Sequence, residues 1–217
     1  MTRTPLRRPQ TRSRRFRITL TDLLWALIGL MLTIGGTLLR ASMLAPHFVF
    51  AGAPWIWTPQ SVPLHFLGVS YQIGAVLLIG CLGGKNAAVM SQIAYLALGL
   101  AGFPVFSQGG GIQYLVSPSF GYLLGFVPGA WVCGYLAFKA PPRLESLAFS
   151  GFCGLFVIHL TGIAYLILGS MLRWVNLESS SVWQAFLTYS INLLSGQLAV
   201  TCAIAVLAFF LRRIMFY

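Results

Sequence analysis

The chain has 217 residues, of which 58% are hydrophobic and only 8% are charged. Because a soluble domain carries about 25% charged residues, this composition excludes an ordinary soluble protein and predicts an all-α integral membrane protein. The net charge is +11, but seven of the basic residues are arginines within residues 3–17. That cluster indicates a cytoplasmic tail, residues 1–17, attracted to anionic lipid, and does not favour nucleic acid as a partner.

Six transmembrane helices are predicted after the tail, since about 20 apolar residues cross the hydrocarbon core of a bilayer. They are expected to form one membrane domain over residues 18–217. The third span is short and the sixth is long, which predicts a tilt or bend in both. The predicted spans are 18–39, 65–82, 87–100, 120–138, 147–172 and 183–211.

Positive charge is distributed unequally between the two predicted sides of the membrane. If the N-terminus is cytoplasmic, the outer side holds only Arg40 and Arg173. The positive-inside rule therefore predicts that both termini are cytoplasmic and that the irregular connections between spans 1 and 2 and spans 3 and 4 face outward. Besides the tail arginines, the cytoplasmic side holds Lys85, Lys139, Arg143, Arg212 and Arg213.

The first connection, residues 40–64, contains four prolines and shows no helical period. Aromatic residues in it are typical of a belt at the membrane interface, although they could instead close over a ligand. These aromatic residues are Phe48, Phe50, Trp55 and Trp57.

The glycine-rich segment GCLGGKN, residues 80–86, lies between the second and third spans. It lacks the spacing of a phosphate-binding P-loop, which needs a further glycine and a Ser or Thr after the lysine. We therefore expect a tight turn whose Lys85 faces lipid headgroups. If ATP energises the protein, the ATPase must be another chain.

The connection between spans 3 and 4 is the strongest candidate for a ligand site. Residues 102–126 read GFPVFSQGGGIQYLVSPSFGYLLGF, and irregular backbone at membrane depth needs protein or a water-filled cavity to satisfy its polar groups. Glycines let a main chain approach a ligand closely, glutamine amides both donate and accept hydrogen bonds, and aromatic rings provide apolar surface. The alternative is a structural re-entrant loop. The candidate residues are Phe103, Phe106, Gln108, Gly109, Gly110, Gly111, Gln113 and Tyr114.

Enzymatic chemistry is not indicated. The acids are Asp22, Glu145 and Glu178, and none is spaced as a pair for general acid/base catalysis. The cysteines form no CxxC pattern, so no metal or cofactor is expected. His159 lies inside a span, where a functional role competes with a hydrogen bond between helices.

Three segments occur in a distinctive order: VPLHF at 62–66, YLALGLAGFPVF at 95–106 and SPSFGYLLGF at 117–126. Together they resemble the BioY family, the biotin-binding S components of energy-coupling factor transporters. The resemblance covers residues 62–134, with a weaker match in HLTGIAYL at 159–166. It implies six helices around an outward-facing pocket for biotin, in a bacterial inner membrane, with a partner membrane subunit and ATPase subunits. Tyr122, within the third segment, joins the candidate substrate-binding residues.

The sixth span departs from that family, whose members carry a PGDxxK-like signature. The corresponding segment is SGQLAV, residues 195–200, with Gln197 in place of Asp and Val200 in place of Lys. We expect Gln197 to contact the ligand, as an acceptor for a ureido N–H. Asn192 either adds a second amide or packs between helices.

Small residues on the first span predict a helix-packing stripe, since small side chains let helix backbones approach. The stripe is a candidate docking surface for the coupling subunit, although packing within the chain explains it equally well, and a homo-oligomer is a further possibility. Its members are Ala26, Gly29, Thr33 and Gly36.

Two other functions stay open beside biotin import. One is a non-transporting membrane scaffold or assembly protein, and the other is an S component for another vitamin-like small molecule. The glycine-rich segment favours binding over a scaffold, while the altered sixth span favours a different ligand.

Overall fold

The computed structural model describes residues 18–44, 64–175 and 181–215. The tail 1–17 and the four aromatic residues of the first connection lie outside the described residues. The helices are α1 (Leu20–Leu38), α2 (Gln72–Leu100), α3 (Phe120–Ala137), α4 (Leu144–Met171), α5 (Val182–Phe186) and α6 (Asn192–Met215). Two strands, β1 (Arg40–Leu44) and β2 (Leu64–Ser70), lie between α1 and α2; a 3-10 turn covers Ile112–Val116, and a π-helical turn, Leu187–Ile191, joins α5 to α6.

Five helical segments of the described chain are long and apolar enough to cross a membrane. Predicted spans 18–39, 120–138, 147–172 and 183–211 each fall on one of them. Residues 72–82 of the second predicted span and the whole third span, 87–100, fall on α2. The helical, membrane-type architecture is confirmed, whereas the count of six crossings and the side of the termini remain predictions.

Helix α2 reverses its direction at Gly84, inside the segment predicted to turn. Gln72 Nε2 lies 2.9 Å from Tyr95 Oη, whereas 23 residues of straight helix would separate them by about 35 Å. The two halves of α2 therefore lie side by side. Gly84 has φ 76° and ψ 178°, a conformation that is essentially restricted to glycine.

Two short strands lie in the connection between α1 and α2, which was expected to be irregular. β1 pairs with β2 in antiparallel fashion, with Met43 opposite His65. The predicted second span was expected to begin at residue 65, but residues 64–70 are a strand and the helix begins at Gln72. Pairing between the strands satisfies their main-chain groups without a helix, and Gly68, with φ 70°, is incompatible with a right-handed one.

Close helix contacts hold the bundle together. A Cβ built at Gly129 would lie 2.9 Å from the carbonyl oxygen of Gly154, and one at Gly154 would lie 2.9 Å from that of Gly129. Only glycines allow α3 and α4 to approach so closely. Leu77, Cys81 and Leu147 fill a buried cluster beside this contact.

The stripe on α1 is covered by the chain itself. A Cβ added at Gly29 would lie 2.6 Å from Ile79 Cγ1, and one at Gly36 would lie 3.0 Å from the main chain of Tyr71. Ala26 and Thr33 are buried as well. Packing within the chain, one of the two interpretations of the stripe, therefore involves these four residues, and docking of a coupling subunit on them remains a prediction.

Candidate ligand-binding cavity

A cavity of about 670 Å³ lies among α1, β2, the starts of α2 and α3, the π-helical turn and α6. Its volume is in the range of small-molecule sites. The walls combine aromatic and aliphatic side chains with seven hydroxyl groups and two amides, and none of the described wall residues is charged. The lining residues are Thr37, Leu38, Gly68, Val69, Ser70, Gln72, Ile73, Phe106, Ser107, Tyr114, Ser119, Tyr122, Leu123, Phe126, Tyr189, Leu193 and Gln197.

Four residues of the sequence-derived candidate site line this cavity: Phe106, Tyr114, Tyr122 and Gln197. All four are buried. The ring of Phe106 packs against Tyr114 with centroids 4.7 Å apart, so the connection between α2 and α3 contributes one aromatic wall. Contact between these side chains and a ligand remains a prediction.

The other seven candidates do not line the cavity: Phe103, Gln108, Gly109, Gly110, Gly111, Gln113 and Asn192. The glycines instead shape the turn that holds Phe106. Phe106 and Gly109 exchange two main-chain hydrogen bonds of 3.0 and 3.1 Å, and Gly111 N donates to Gly99 O at 2.7 Å. Gln113 Nε2 donates to Gly110 O at 3.0 Å. This is the geometry expected of the structural alternative, and ligand binding by these seven remains a prediction.

A buried hydrogen-bond cluster around Tyr95 anchors the same connection. Tyr95 Oη donates to Val105 O at 2.9 Å and accepts from Gln72 Nε2 at 2.9 Å. Thr37 Oγ1 lies 3.1 Å from the same oxygen. Gln72 and Thr37 both line the cavity, so one cluster links two wall residues to the loop that carries Phe106. In the sequence, the sign of this cluster is the presence of polar side chains inside apolar runs.

A second cluster joins α3, α4, the π-helical turn and α6. His159 Nε2 lies 2.6 Å from Gln197 Oε1, and His159 Nδ1 lies 3.2 Å from Ser190 Oγ. Ser190 Oγ lies 2.7 Å from Tyr122 Oη. His159 thus makes the hydrogen bond between helices that was one of its two interpretations. It does so directly behind a cavity wall.

Val200, at the position where the resemblance implied a lysine, packs in the core. A Cβ placed on Gly74 would lie 2.8 Å from Val200 Cγ1, so this side chain seals the contact between α2 and α6. The described residues contain no group of three or more His, Cys, Asp or Glu side chains that could hold a metal ion. The cavity therefore offers a ligand apolar contacts and hydrogen bonds to uncharged groups.

Two proteins named as biotin transporters are similar to this chain in sequence. "Probable biotin transporter BioY" of Lysinibacillus sphaericus is 36% identical over 162 residues, which are 74% of this chain and 81% of that protein. "Biotin transporter BioY" of Thermotoga maritima is 39% identical over 104 residues, which are 48% of this chain and 61% of that protein.

A solved structure, that of the "S-component for biotin from an ECF-type ABC transporter", has the same fold. Its TM-score is 0.63 at 18% sequence identity, and the match covers 91% of this chain and 95% of that one. The family model described as "BioY family" matches residues 35–216. Because the family model and the Lysinibacillus relative both match most of its length, the chain belongs to the BioY family.

Proposed function

We propose that this protein is the substrate-binding membrane subunit of a biotin importer, and that it captures biotin from the outer side of the membrane. The main support is the cavity of about 670 Å³ in a chain of the BioY family. The relatives named as biotin transporters supply the identity of the guest.

The chemistry of the cavity suits biotin. Phe106, Tyr114 and Phe126 offer apolar surface for the fused rings and the aliphatic chain. Gln72 and Gln197 offer amides for the ureido group. Since no described wall residue is charged, the carboxylate of biotin would rely on hydroxyl groups or on the open end of the cavity.

Charge placement supports an outward-facing cavity and six crossings. Lys85, at the reversal of α2, and Lys139, after α3, both lie over the ring of Tyr135, at 5.5 and 5.8 Å from its centroid. Arg212, near the end of α6, lies 4.1 Å from the ring centroid of Phe138. Cations from three elements therefore collect at the end of the bundle opposite the start of α2. By the positive-inside rule, we propose that this end faces the cytoplasm, with both termini on the same side. That the membrane is a bacterial inner membrane is proposed from the family resemblance alone.

Direct titration tests the proposal. The full chain, purified in detergent, is titrated with biotin and followed by calorimetry and tryptophan fluorescence. We expect saturable binding at micromolar biotin or below. An intact thermal transition without any binding would overturn the assignment of biotin.

Transport itself needs a second experiment, because the proposal includes energisation by partner ATPase chains. Liposomes containing the chain alone are compared with liposomes that also contain a coupling membrane subunit and its ATPases. Uptake of labelled biotin is expected only with ATP and the partners. Uptake by the chain alone would favour a self-sufficient homo-oligomer, and binding without uptake in either case would favour a scaffold.

A different vitamin-like ligand is the second candidate, and one observation favours it. Gln197 and Val200 replace the acidic and basic residues implied by the resemblance, so the cavity lacks charges that would select biotin. A panel of small vitamins, ranked by the rise in melting temperature that each produces, distinguishes the two candidates. If another compound raised the melting temperature more than biotin does, the second candidate function would be favoured.

A further inference from the structure

Two glutamines in the cavity wall are held in opposite orientations. Gln72 begins α2 and is 8% exposed, and Gln197 lies in α6 and is 5% exposed. Both line the cavity. In each glutamine, one end of the side-chain amide is hydrogen-bonded to a helix residue of the protein. That bond determines whether the other end is a donor or an acceptor.

The amide of Gln197 is oriented by His159. Gln197 Oε1 has no hydrogen, so the 2.6 Å contact requires that His159 Nε2 carries one. A neutral imidazole then has a bare Nδ1, which accepts from Ser190 Oγ, and Ser190 in turn accepts from Tyr122 Oη. Within the described part of the chain, no residue accepts a hydrogen bond from Gln197 Nε2. Gln197 therefore offers the cavity a donor.

The amide of Gln72 is oriented by Tyr95. The single hydroxyl hydrogen of Tyr95 is used on Val105 O, so Tyr95 Oη accepts from Gln72 Nε2. No donor to Gln72 Oε1 is found among residues 18–44, 64–175 and 181–215. Among these residues, Gln92 Oε1 is the only fully buried polar side-chain atom without a hydrogen-bond partner. Gln72 Oε1 also has no partner among them, so it is not fully buried and remains accessible. Gln72 therefore offers the cavity an acceptor.

We infer that His159 and Tyr95 fix the polarity of the two cavity glutamines, so that Gln197 donates to an oxygen of the ligand and Gln72 accepts from an N–H of the ligand. This inference rests on the proposed function and assigns the atoms that read its ligand. His159 and Tyr95 are positioning residues, because they act through the two glutamines. The role of Gln197 is the reverse of the acceptor role that the sequence indicated, because His159 occupies its oxygen.

The tautomer of His159 tests the orientation without any ligand. The full chain is labelled with ¹⁵N-histidine, reconstituted in nanodiscs and examined by NMR, and the signals of His159 among the three histidines are assigned by their loss in His159→Phe. We expect a hydrogen on Nε2 and a bare Nδ1. A hydrogen on Nδ1 instead would mean that Gln197 donates to His159, and would overturn the inference.

Ligand discrimination tests the head group. In 2-iminobiotin, a protonated guanidinium at neutral pH replaces the ureido carbonyl, so an acceptor becomes a donor. The wild type should bind biotin at least about tenfold more tightly than 2-iminobiotin, as expected when a buried donor loses its partner. Equal affinities would overturn the inference. Failure to bind either compound would instead sink the proposed function, and the tautomer would still decide the orientation of Gln197.

Three variants separate positioning from packing. Gln197→Glu removes the donor and should abolish the preference for biotin, whereas Gln184→Glu, the same change at an exposed capping residue of α5, should leave it unchanged. His159→Leu frees the Gln197 amide to rotate and should reduce the preference by about three- to tenfold. His159→Gln restores a donor to Gln197 Oε1 and should recover it. Equal preferences in the two His159 variants would assign that residue to packing alone and contradict its positioning role.

Discussion

Replacing Gly84 by alanine tests the reversal of α2, on which the whole bundle depends. Space is not the obstacle, because a Cβ at this position would meet the ring of Phe138 at 3.5 Å, an ordinary contact. The obstacle is the backbone, since φ 76° and ψ 178° lie in a region that costs a residue with a side chain about 1–3 kcal/mol. We expect Gly84→Ala to lower the free energy of unfolding by that amount.

Gly35→Ala is the matched control. Gly35 lies within α1, and a Cβ there would meet no atom within 4 Å. Alanine in a helix interior is more stable than glycine by about 0.5–1 kcal/mol, so this variant should be at least as stable as the wild type. The same chemical change thus has opposite signs at the two sites, and the two variants should differ by about 1.5–4 kcal/mol.

Unfolding of both variants in mixed micelles, followed by circular dichroism and tryptophan fluorescence, measures this difference. Trp25 packs beside Gly83 and reports on the reversal directly. If Gly84→Ala were as stable as the wild type, or if both variants lost equal stability, the assignment of a glycine-only turn at Gly84 would be refuted.

Three further substitutions and one control variant probe the wall of the cavity and the far end of the bundle. A Cβ at Gly99 would lie 2.0 Å from Phe106 Cζ, so Gly99→Ala should displace that ring and weaken biotin binding about tenfold or more; unchanged affinity in a titration would contradict this. Tyr95→Phe keeps the ring but removes the hydroxyl, and should lower the free energy of unfolding in micelles by about 1–3 kcal/mol. An unchanged free energy of unfolding would contradict the anchoring role of Tyr95. Buried Arg212 donates a hydrogen bond of 2.8 Å to a main-chain carbonyl at the end of α3. Arg212→Leu should therefore lower the free energy of unfolding by about 2 kcal/mol, whereas Arg213→Leu, at an exposed position, should not. Equal melting temperatures of these two variants would contradict this prediction.

The helical segments were predictable because lipid leaves a spanning backbone few alternatives to helix. Apolar runs alone located α1, α3, α4 and the long segment that ends with α6, and the glycines of residues 80–86 indicated the turn. The strands were not predictable in the same way. Residues 40–44 and 64–70 pair across an intervening connection, and such pairing leaves no local period in an apolar sequence.

The sequence by itself determined the class of this protein, its family and the aromatic wall of the cavity, because length, hydropathy and the order of three motifs are properties of the chain alone. Tertiary structure decided which ends of the two cavity amides are already hydrogen-bonded. Gln72 meets Tyr95 across 23 residues and His159 meets Gln197 across 38, so their hydrogen bonds exist only once the helices have packed. A side-chain amide has both a donor and an acceptor. The neighbour that forms a hydrogen bond with one of them leaves only the other for a ligand.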